Sequence, residues 1–124
     1  MGLRYFGVRV TDLERSVRFY TALMGLRECR RGRMTHGGTW VLLEDPRTHQ
    51  RLELNWYPAG SPYAVPYVPG EGLDHLGFRV PDAAATVRRL RRQGARVALL
   101  PSGRHGVRGV YYLKDPDGNW VEVF

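Results

Sequence analysis

Four side chains that could bind a metal ion or move a proton stand at matched places in the two halves of this 124-residue chain. The first half carries Tyr5 and Glu53, and the second half carries His75 and Glu122. In each half the earlier residue begins an alternating apolar stretch, and the glutamate stands between two aliphatic residues. Oxygen and nitrogen donors without thiolates suit zinc, nickel, manganese, cobalt or iron(II), and a glutamate can also abstract a proton.

Strand parity places these four groups on the polar faces of their strands. Side chains alternate across a β-strand, so Tyr5 lies on the opposite face from Phe6 and Val8. If the two halves are related by an approximate twofold axis, the four groups meet around one centre. Two carboxylates and an imidazole at that centre would repel and lose solvation unless a cation or protons compensated them, which predicts a divalent metal.

An internal repeat supports this matching of positions, because four landmarks recur in the same order at an offset of 70 or 69 residues. The pairs are residues 5–12 with 75–82, Gly25 with Gly94, 45–46 with 115–116, and 52–54 with 121–123. Each half predicts a strand, a helix capped by Asp12 or Asp82, and three further strands. The predicted fold class is therefore α+β, with two repeated βαβββ modules.

The predicted elements have the following bounds. The first module, residues 1–57, has strands at 6–10, 28–33, 39–43 and 51–56 and a helix from Leu13 to Leu23. A proline-rich connector spans 58–71. The second module, residues 72–124, has strands at 76–80, 96–100, 107–114 and 119–124 and a helix that Gly94 ends. We expect the modules to form one structural domain, within one chain or by exchange across a homodimer.

The amino-acid composition limits which binding partners and which cellular compartment we expect. The net charge of +7 favours anionic partners. The basic run at 88–92 lies on a predicted helix without interleaved aromatic residues, so we expect a solvated face and no nucleic-acid binding. The single cysteine, Cys29, excludes an internal disulfide and a cysteine-rich metal site. No apolar run is long enough to cross a bilayer, so we expect a cytoplasmic protein with no membrane partner.

The motifs that carry these landmarks resemble the vicinal oxygen chelate superfamily, which includes glyoxalase I, methylmalonyl-CoA epimerase, extradiol dioxygenases and fosfomycin or bleomycin resistance proteins. The similar segments are VTDLERSVRFY at 10–20, LEL at 52–54, DHLGF at 74–78 and KDPDGNWVE at 114–122. The resemblance covers nearly the whole chain and implies a curved mixed sheet around a central cavity, with the helices on the outer face. The ligand pattern is most similar to that of glyoxalase I.

The resemblance also implies roles for the four matched residues. In glyoxalase I-like enzymes the metal is held by a residue on the first strand of each module and a glutamate on the last strand, which here are Tyr5, His75, Glu53 and Glu122. Zinc or nickel is expected, with manganese, cobalt or iron as alternatives. Glu53 or Glu122 would be the catalytic base. Tyr5 departs from the pattern, because histidine or glutamine is usual there and a phenol with a pKa of about 10 is a poor ligand.

The residues predicted to bind substrate lie on the polar faces of the strands, at the end of a strand or in a loop. Arg9 resembles the arginine with which glyoxalase I binds the glutathione carboxylate, and Arg79 is its repeat counterpart. The loop at 101–108 contains glycines that permit movement and arginines that could hold an anion. The full predicted set is Arg9, Arg79, Asn55, Trp56, Arg104 and Arg108.

Two classes of function follow from these residues. The leading hypothesis is a metal-dependent glyoxalase I-like lyase or isomerase that abstracts a proton next to a carbonyl of a small anionic substrate. An acyl-CoA epimerase is the alternative within the same chemistry. The other class is a metal-free binding protein of the bleomycin-resistance type, with Tyr5, Trp56 and Trp120 lining an aromatic cavity.

Overall fold

The chain divides into two compact units, Met1–Val68 and Pro69–Phe124. The computed structural model describes residues 4–35, 37–61, 64–71, 73, 75–99 and 109–124. Each unit contains a strand, a helix and three further strands, and each sheet has four strands. The predicted α+β class with two βαβββ modules is confirmed. In the part of the chain that is described, no helix is both long and apolar enough to span a bilayer.

The first unit is built on a mixed sheet in the order β1-β4-β3-β2. Its strands are β1 (Phe6–Arg9), β2 (Arg27–Arg33), β3 (Thr39–Glu44) and β4 (Arg51–Trp56). Strand β1 runs parallel to β4, whereas the β2–β3 and β3–β4 pairs are antiparallel. Helix α1 (Leu13–Arg18) connects β1 to β2 and packs against β4.

The second unit repeats this topology in the order β5-β8-β7-β6. Its strands are β5 (His75–Phe78), β6 (Arg96–Leu99), β7 (Tyr111–Lys114) and β8 (Trp120–Val123), and helix α2 spans Ala83–Arg92. Strand β5 is parallel to β8 and the other pairs are antiparallel. Strand β7 begins later than predicted because Gly109, with a φ of 86°, cannot belong to an extended strand. Residues 107 and 108 lie outside the described part.

Both helices begin where the sequence predicts. The Asp12 carboxylate accepts a hydrogen bond of 3.0 Å from the Arg15 amide, and the Asp82 carboxylate accepts one of 2.8 Å from the Ala85 amide. The first helix differs from prediction in its last turn, because Phe19–Leu23 is π-helical. There the Met24 amide donates to the carbonyl of Phe19, five residues back, instead of four.

The apolar faces of the strands form the core with the helices, as strand parity predicts. In the first unit the buried apolar residues are Val8, Val10, Leu13, Val17, Phe19, Tyr20, Leu26, Val41, Leu43, Leu52 and Leu54. In the second they are Val87, Leu90, Ala95, Leu113, Val121 and Val123. Phe6 is an exception, since this first residue of an edge strand is 59% exposed although its parity predicted burial with Val8.

A buried carboxylate at the end of β3 was not predicted. Glu44 is 5% exposed, and its Oε2 accepts a hydrogen bond of 2.8 Å from Arg51 Nε. Its Oε1 lies 3.3 Å from His49 Nδ1 and 3.4 Å from Arg27. The hydrogen bond from Arg51, and after it the one with His49, holds the pKa of Glu44 below its ordinary value. The ionised form is therefore favoured in the folded chain.

This pairing predicts a pH dependence of stability. A carboxylate whose pKa is lowered by folding stabilises the fold above its unfolded pKa of about 4.5, and the contribution is lost as pH falls through the folded value. Between about pH 5 and pH 3, we expect the free energy of unfolding to fall less in the Glu44→Gln variant than in the wild type. Urea unfolding at each pH measures the effect. The exposed Glu71→Gln variant is the control, and equal acid sensitivity in Glu44→Gln and wild type would contradict the assignment.

Candidate functional site

The polar face of the second unit brings together residues from three strands. The β5–β8–β7 register places Gly77, Glu122 and Tyr112 side by side. The adjacent row consists of His75, Trp120 and Lys114. These six residues share one face of the sheet because directly opposed residues project to the same side and side chains alternate along each strand.

The centre of this face is an imidazole–carboxylate pair. His75 Nε2 lies 3.3 Å from Glu122 Oε2, and the two side chains are 39% and 20% exposed. Tyr112 donates its hydroxyl to Glu122 Oε1 at 3.2 Å, so both carboxylate oxygens are engaged. On the other side lies Gly77, which has no side chain, and an added Cβ would lie 3.6 Å from Glu122 Oε2, an ordinary contact distance. The sequence predicted His75 and Glu122 for a site, and the structure brings these two together.

Aromatic side chains surround the pair. The Tyr112 ring packs edge-to-face against His75, with centroids 6.3 Å apart, and against Trp120 at 5.9 Å. Lys114 Nζ lies 3.1 Å from the centroid of the Trp120 ring and donates to the Gly118 carbonyl at 3.0 Å. Burial, and then the nearby charge of Arg96, lower the pKa of Lys114.

The sequence analysis missed Tyr112 and Lys114 as members of this face. Both alternate with the buried Leu113, and the turn at 115–118 sets β7 against β8. The Asp115 carboxylate accepts amide hydrogen bonds from Asp117 at 3.0 Å and Asn119 at 2.7 Å within that turn. Pairing residues outward from this turn places Tyr112 opposite Glu122, so the sequence did contain the signal for Tyr112.

In the first unit, the equivalent glutamate has different neighbours. Glu53 lies between Gly7 on β1 and Leu42 on β3, in the same register as Glu122. Asn55 Nδ2 donates to Glu53 Oε1 at 3.1 Å. No hydrogen bond or ion pair joins Tyr5 to Glu53 in the described residues, and Tyr5 is 46% exposed. Tyr5 stands where the second unit has His75, so the described residues of the first unit do not repeat the His75–Glu122 pair.

Arg9 lies next to Glu53 and Asn55 on the same sheet, and its Nε is a hydrogen-bond donor without a partner among the described residues. It is directly opposite Asn55, which in turn is opposite Trp40 on β3. Arg9 Nε is buried and has no hydrogen-bond partner in the part of the chain that the structure describes. A buried donor without a partner costs free energy, and an anionic oxygen would satisfy it.

Among the described residues, two further predicted substrate-binding residues, Arg79 and Trp56, take no part in these contacts. Arg79 is exposed and follows β5, and Trp56 is half-buried at the end of β4. Arg104 and Arg108, with the loop that carries them, lie outside the described residues. Their predicted roles stay predictions.

The donor chemistry fits a borderline divalent cation in part. His75 and Glu122 present one nitrogen and one oxygen close together, which is the ligand type that zinc and nickel accept. Among the described residues, no group of three or more histidine, cysteine, aspartate or glutamate side chains could hold a metal ion. The pair therefore supplies two donors, and the four-residue site expected from the sequence stays a prediction.

Comparison with known proteins places the chain in a family. Residues 2–123 match the Glyoxalase/Bleomycin resistance protein/Dioxygenase superfamily. A lactoylglutathione lyase from Pseudomonas aeruginosa is 33% identical over 138 residues, a match that covers 94% of this chain and 77% of that protein. This similarity agrees with the expected glyoxalase I-like class of enzyme.

Two solved structures show the same fold. The trypanothione-dependent glyoxalase I of Leishmania major has a TM-score of 0.79 at 23% identity, covering 100% of this chain and 86% of that one. A Streptomyces antibiotic-binding protein has a TM-score of 0.73 at 25% identity, covering 99% and 93%. The chain belongs to the glyoxalase/bleomycin resistance protein/dioxygenase superfamily and is a glyoxalase I-like member of the vicinal oxygen chelate fold.

Proposed function

We propose that this protein is a metal-dependent glyoxalase I-like lyase or isomerase that moves a proton between neighbouring carbons of a small anionic substrate. The observation that carries the proposal is the contact between His75 and Glu122 on the polar face of the second unit. An imidazole and a carboxylate held together in a glyoxalase I-like chain supply the donor types that this chemistry needs. The similarity to a lactoylglutathione lyase supports the same reaction class.

The ligands in this proposal are His75 and Glu122, the two donors that lie in contact within the second unit. A divalent cation bound there would polarise a substrate carbonyl and lower the pKa of the adjacent C–H bond. Tyr5 is exposed and has no hydrogen bond to Glu53 among the described residues, and its ligand role stays a prediction. Zinc and nickel are the first candidates because the donors are nitrogen and oxygen without sulfur.

We assign the base to Glu53 because of how the two glutamates are engaged. Both oxygens of Glu122 have partners, Tyr112 and His75. Glu53 Oε1 accepts a hydrogen bond from Asn55, whereas Glu53 Oε2 has no such partner among the described residues. Glu53 Oε2 can therefore take the proton from the substrate carbon and return it to the neighbouring carbon.

Arg9 is the proposed site for a remote anionic group of the substrate. Its buried Nε lacks a partner within the described chain, and it lies in the row next to Glu53 on the same sheet. A carboxylate or phosphate oxygen would accept charge-assisted hydrogen bonds from the part-buried guanidinium of Arg9. The net charge of +7 would favour the approach of such a substrate.

A metal-free binding protein is the second candidate function. The chain is similar in sequence and fold to an antibiotic-binding protein, and aromatic side chains of Tyr112 and Trp120 lie beside the His75–Glu122 pair. Aromatic faces bind apolar ligands well, and the acidic groups would then pair with basic ones within the protein. An acyl-CoA epimerase remains an alternative with the same proton abstraction.

The lyase assignment predicts activity on hemithioacetals that a chelator removes. We expect the protein to convert the hemithioacetal of glutathione or another low-molecular-weight thiol, to lose activity after dialysis against EDTA, and to regain it with Zn²⁺ or Ni²⁺. In the reconstituted protein, Glu53→Gln should lower kcat by about 10²–10⁴-fold, the typical contribution of a general base. Steady-state kinetics over a panel that includes acyl-CoA thioesters measures both effects.

The Glu71→Gln variant is the matched control, since it removes an equal charge from an exposed site. If Glu53→Gln kept full activity and Glu122→Gln lost it, the catalytic base would be Glu122 instead of Glu53. Inactivity on every substrate, together with chelator-insensitive binding of an aromatic antibiotic, would replace the lyase with the binding protein.

The anion-binding role predicts a specific kinetic signature for Arg9. We expect Arg9→Gln to raise KM by about 10- to 100-fold with kcat nearly unchanged, because a charge-assisted hydrogen bond to a remote group is lost equally in the ground and transition states. Arg18→Gln, which removes an exposed arginine from α1, should leave both constants within about twofold. A fall in kcat alone would contradict the assignment.

A further inference from the structure

The two matched glutamates are supported by different hydrogen-bond donors. Glu122 and Glu53 occupy the same register position, each between a glycine on the parallel strand and a residue of the antiparallel one. In the second unit that antiparallel neighbour is Tyr112, whose hydroxyl reaches the carboxylate. In the first unit it is Leu42, which has no donor, and Asn55 of the same strand supplies the hydrogen bond instead.

Tyr112 is itself held in place by its neighbours. Its ring packs edge-to-face against His75 at 6.3 Å and against Trp120 at 5.9 Å, with interplanar angles of 87° and 84°. Trp120 is in turn covered by Lys114, 3.1 Å from the ring centroid. Contacts on two sides leave the phenol ring little freedom, so its hydroxyl is already in position for Glu122 Oε1.

The carboxylate depends on this hydroxyl because the other side of Glu122 is open. Gly77 is the neighbour on β5 and has no side chain. Without a donor on Oε1, rotation about the terminal bond of Glu122 would let either oxygen face His75, or neither. With Oε1 held by Tyr112, Oε2 lies 3.3 Å from His75 Nε2.

We propose that Tyr112 is a positioning residue that fixes the Glu122 carboxylate, so that Oε2 and His75 Nε2 form a preorganised pair of donors for a divalent cation. The cation part rests on the proposed function. Groups that hydrogen-bond to metal ligands orient those ligands, and removing one such group costs 10- to 100-fold in metal affinity. The repeat makes this role specific to the second unit, since Leu42 cannot perform it.

The test compares two tyrosine variants of the full chain. Tyr112→Phe removes the hydroxyl and keeps the ring, and Tyr111→Phe removes a hydroxyl from the next residue of β7, on the opposite face of the sheet. Calorimetric titration of the chelator-treated protein with Co²⁺ should give a Kd that is about 10- to 100-fold weaker for Tyr112→Phe. Tyr111→Phe should match the wild type within twofold. Equal Co²⁺ affinity in Tyr112→Phe and wild type would overturn the proposal.

A second measurement in EDTA makes the positioning role independent of the cation. Urea unfolding of Tyr112→Phe, Glu122→Ala and the double variant forms a double-mutant cycle. Tyr112→Phe should shift the unfolding equilibrium about fivefold when Glu122 is present and less than twofold in the Glu122→Ala background. Equal shifts in both backgrounds would show that the ring alone matters and would overturn the positioning role. If the wild type binds no Co²⁺, the proposed metal chemistry fails, and this cycle still decides the role of Tyr112.

Discussion

A glutamate opposite a glycine on the neighbouring parallel strand is the constraint on which both units depend. Gly7 faces Glu53 and Gly77 faces Glu122, in sheets of the same topology. Opposed residues project to the same face, so each glutamate has a neighbour without a side chain on the parallel strand. At Gly77 a Cβ would already lie 3.3 Å from Phe124 and 3.6 Å from Glu122. The tighter of these two contacts is the one with Phe124, and the distance to Glu122 is an ordinary van der Waals contact.

The two units share this frame but have diverged in what surrounds the acid. In the second unit His75 and Tyr112 each engage one oxygen of Glu122, and Trp120 packs against the Tyr112 ring. In the first unit Tyr5 is exposed, Glu53 retains an oxygen without a partner among the described residues, and Arg9 has a buried unpaired nitrogen. The two acids are therefore held differently, Glu122 through both oxygens and Glu53 through a single hydrogen bond among the described residues.

Periodicity and the repeat were enough to predict the βαβββ order, both helix caps and the polar faces, because alternation and capping are local properties of the chain. Parity placed His75 and Glu122 on the polar faces of their strands, and the structure brings these two side chains together. Tyr112 was missed because its partner is set by register across two strands, and Glu44 because its burial depends on Arg51 and His49. The exposure of Phe6 reflects its place on an edge strand, which parity does not reveal.

In the proposed metal site His75 and Glu122 bind the same divalent cation, and X-ray absorption at the zinc edge reports on both ligands. For the zinc-loaded full chain we expect a shell of nitrogen and oxygen at about 2.0–2.2 Å, without sulfur, and imidazole scattering that disappears in His75→Ala. Stoichiometric zinc with no imidazole in its shell, or with a sulfur ligand from Cys29, would contradict the account.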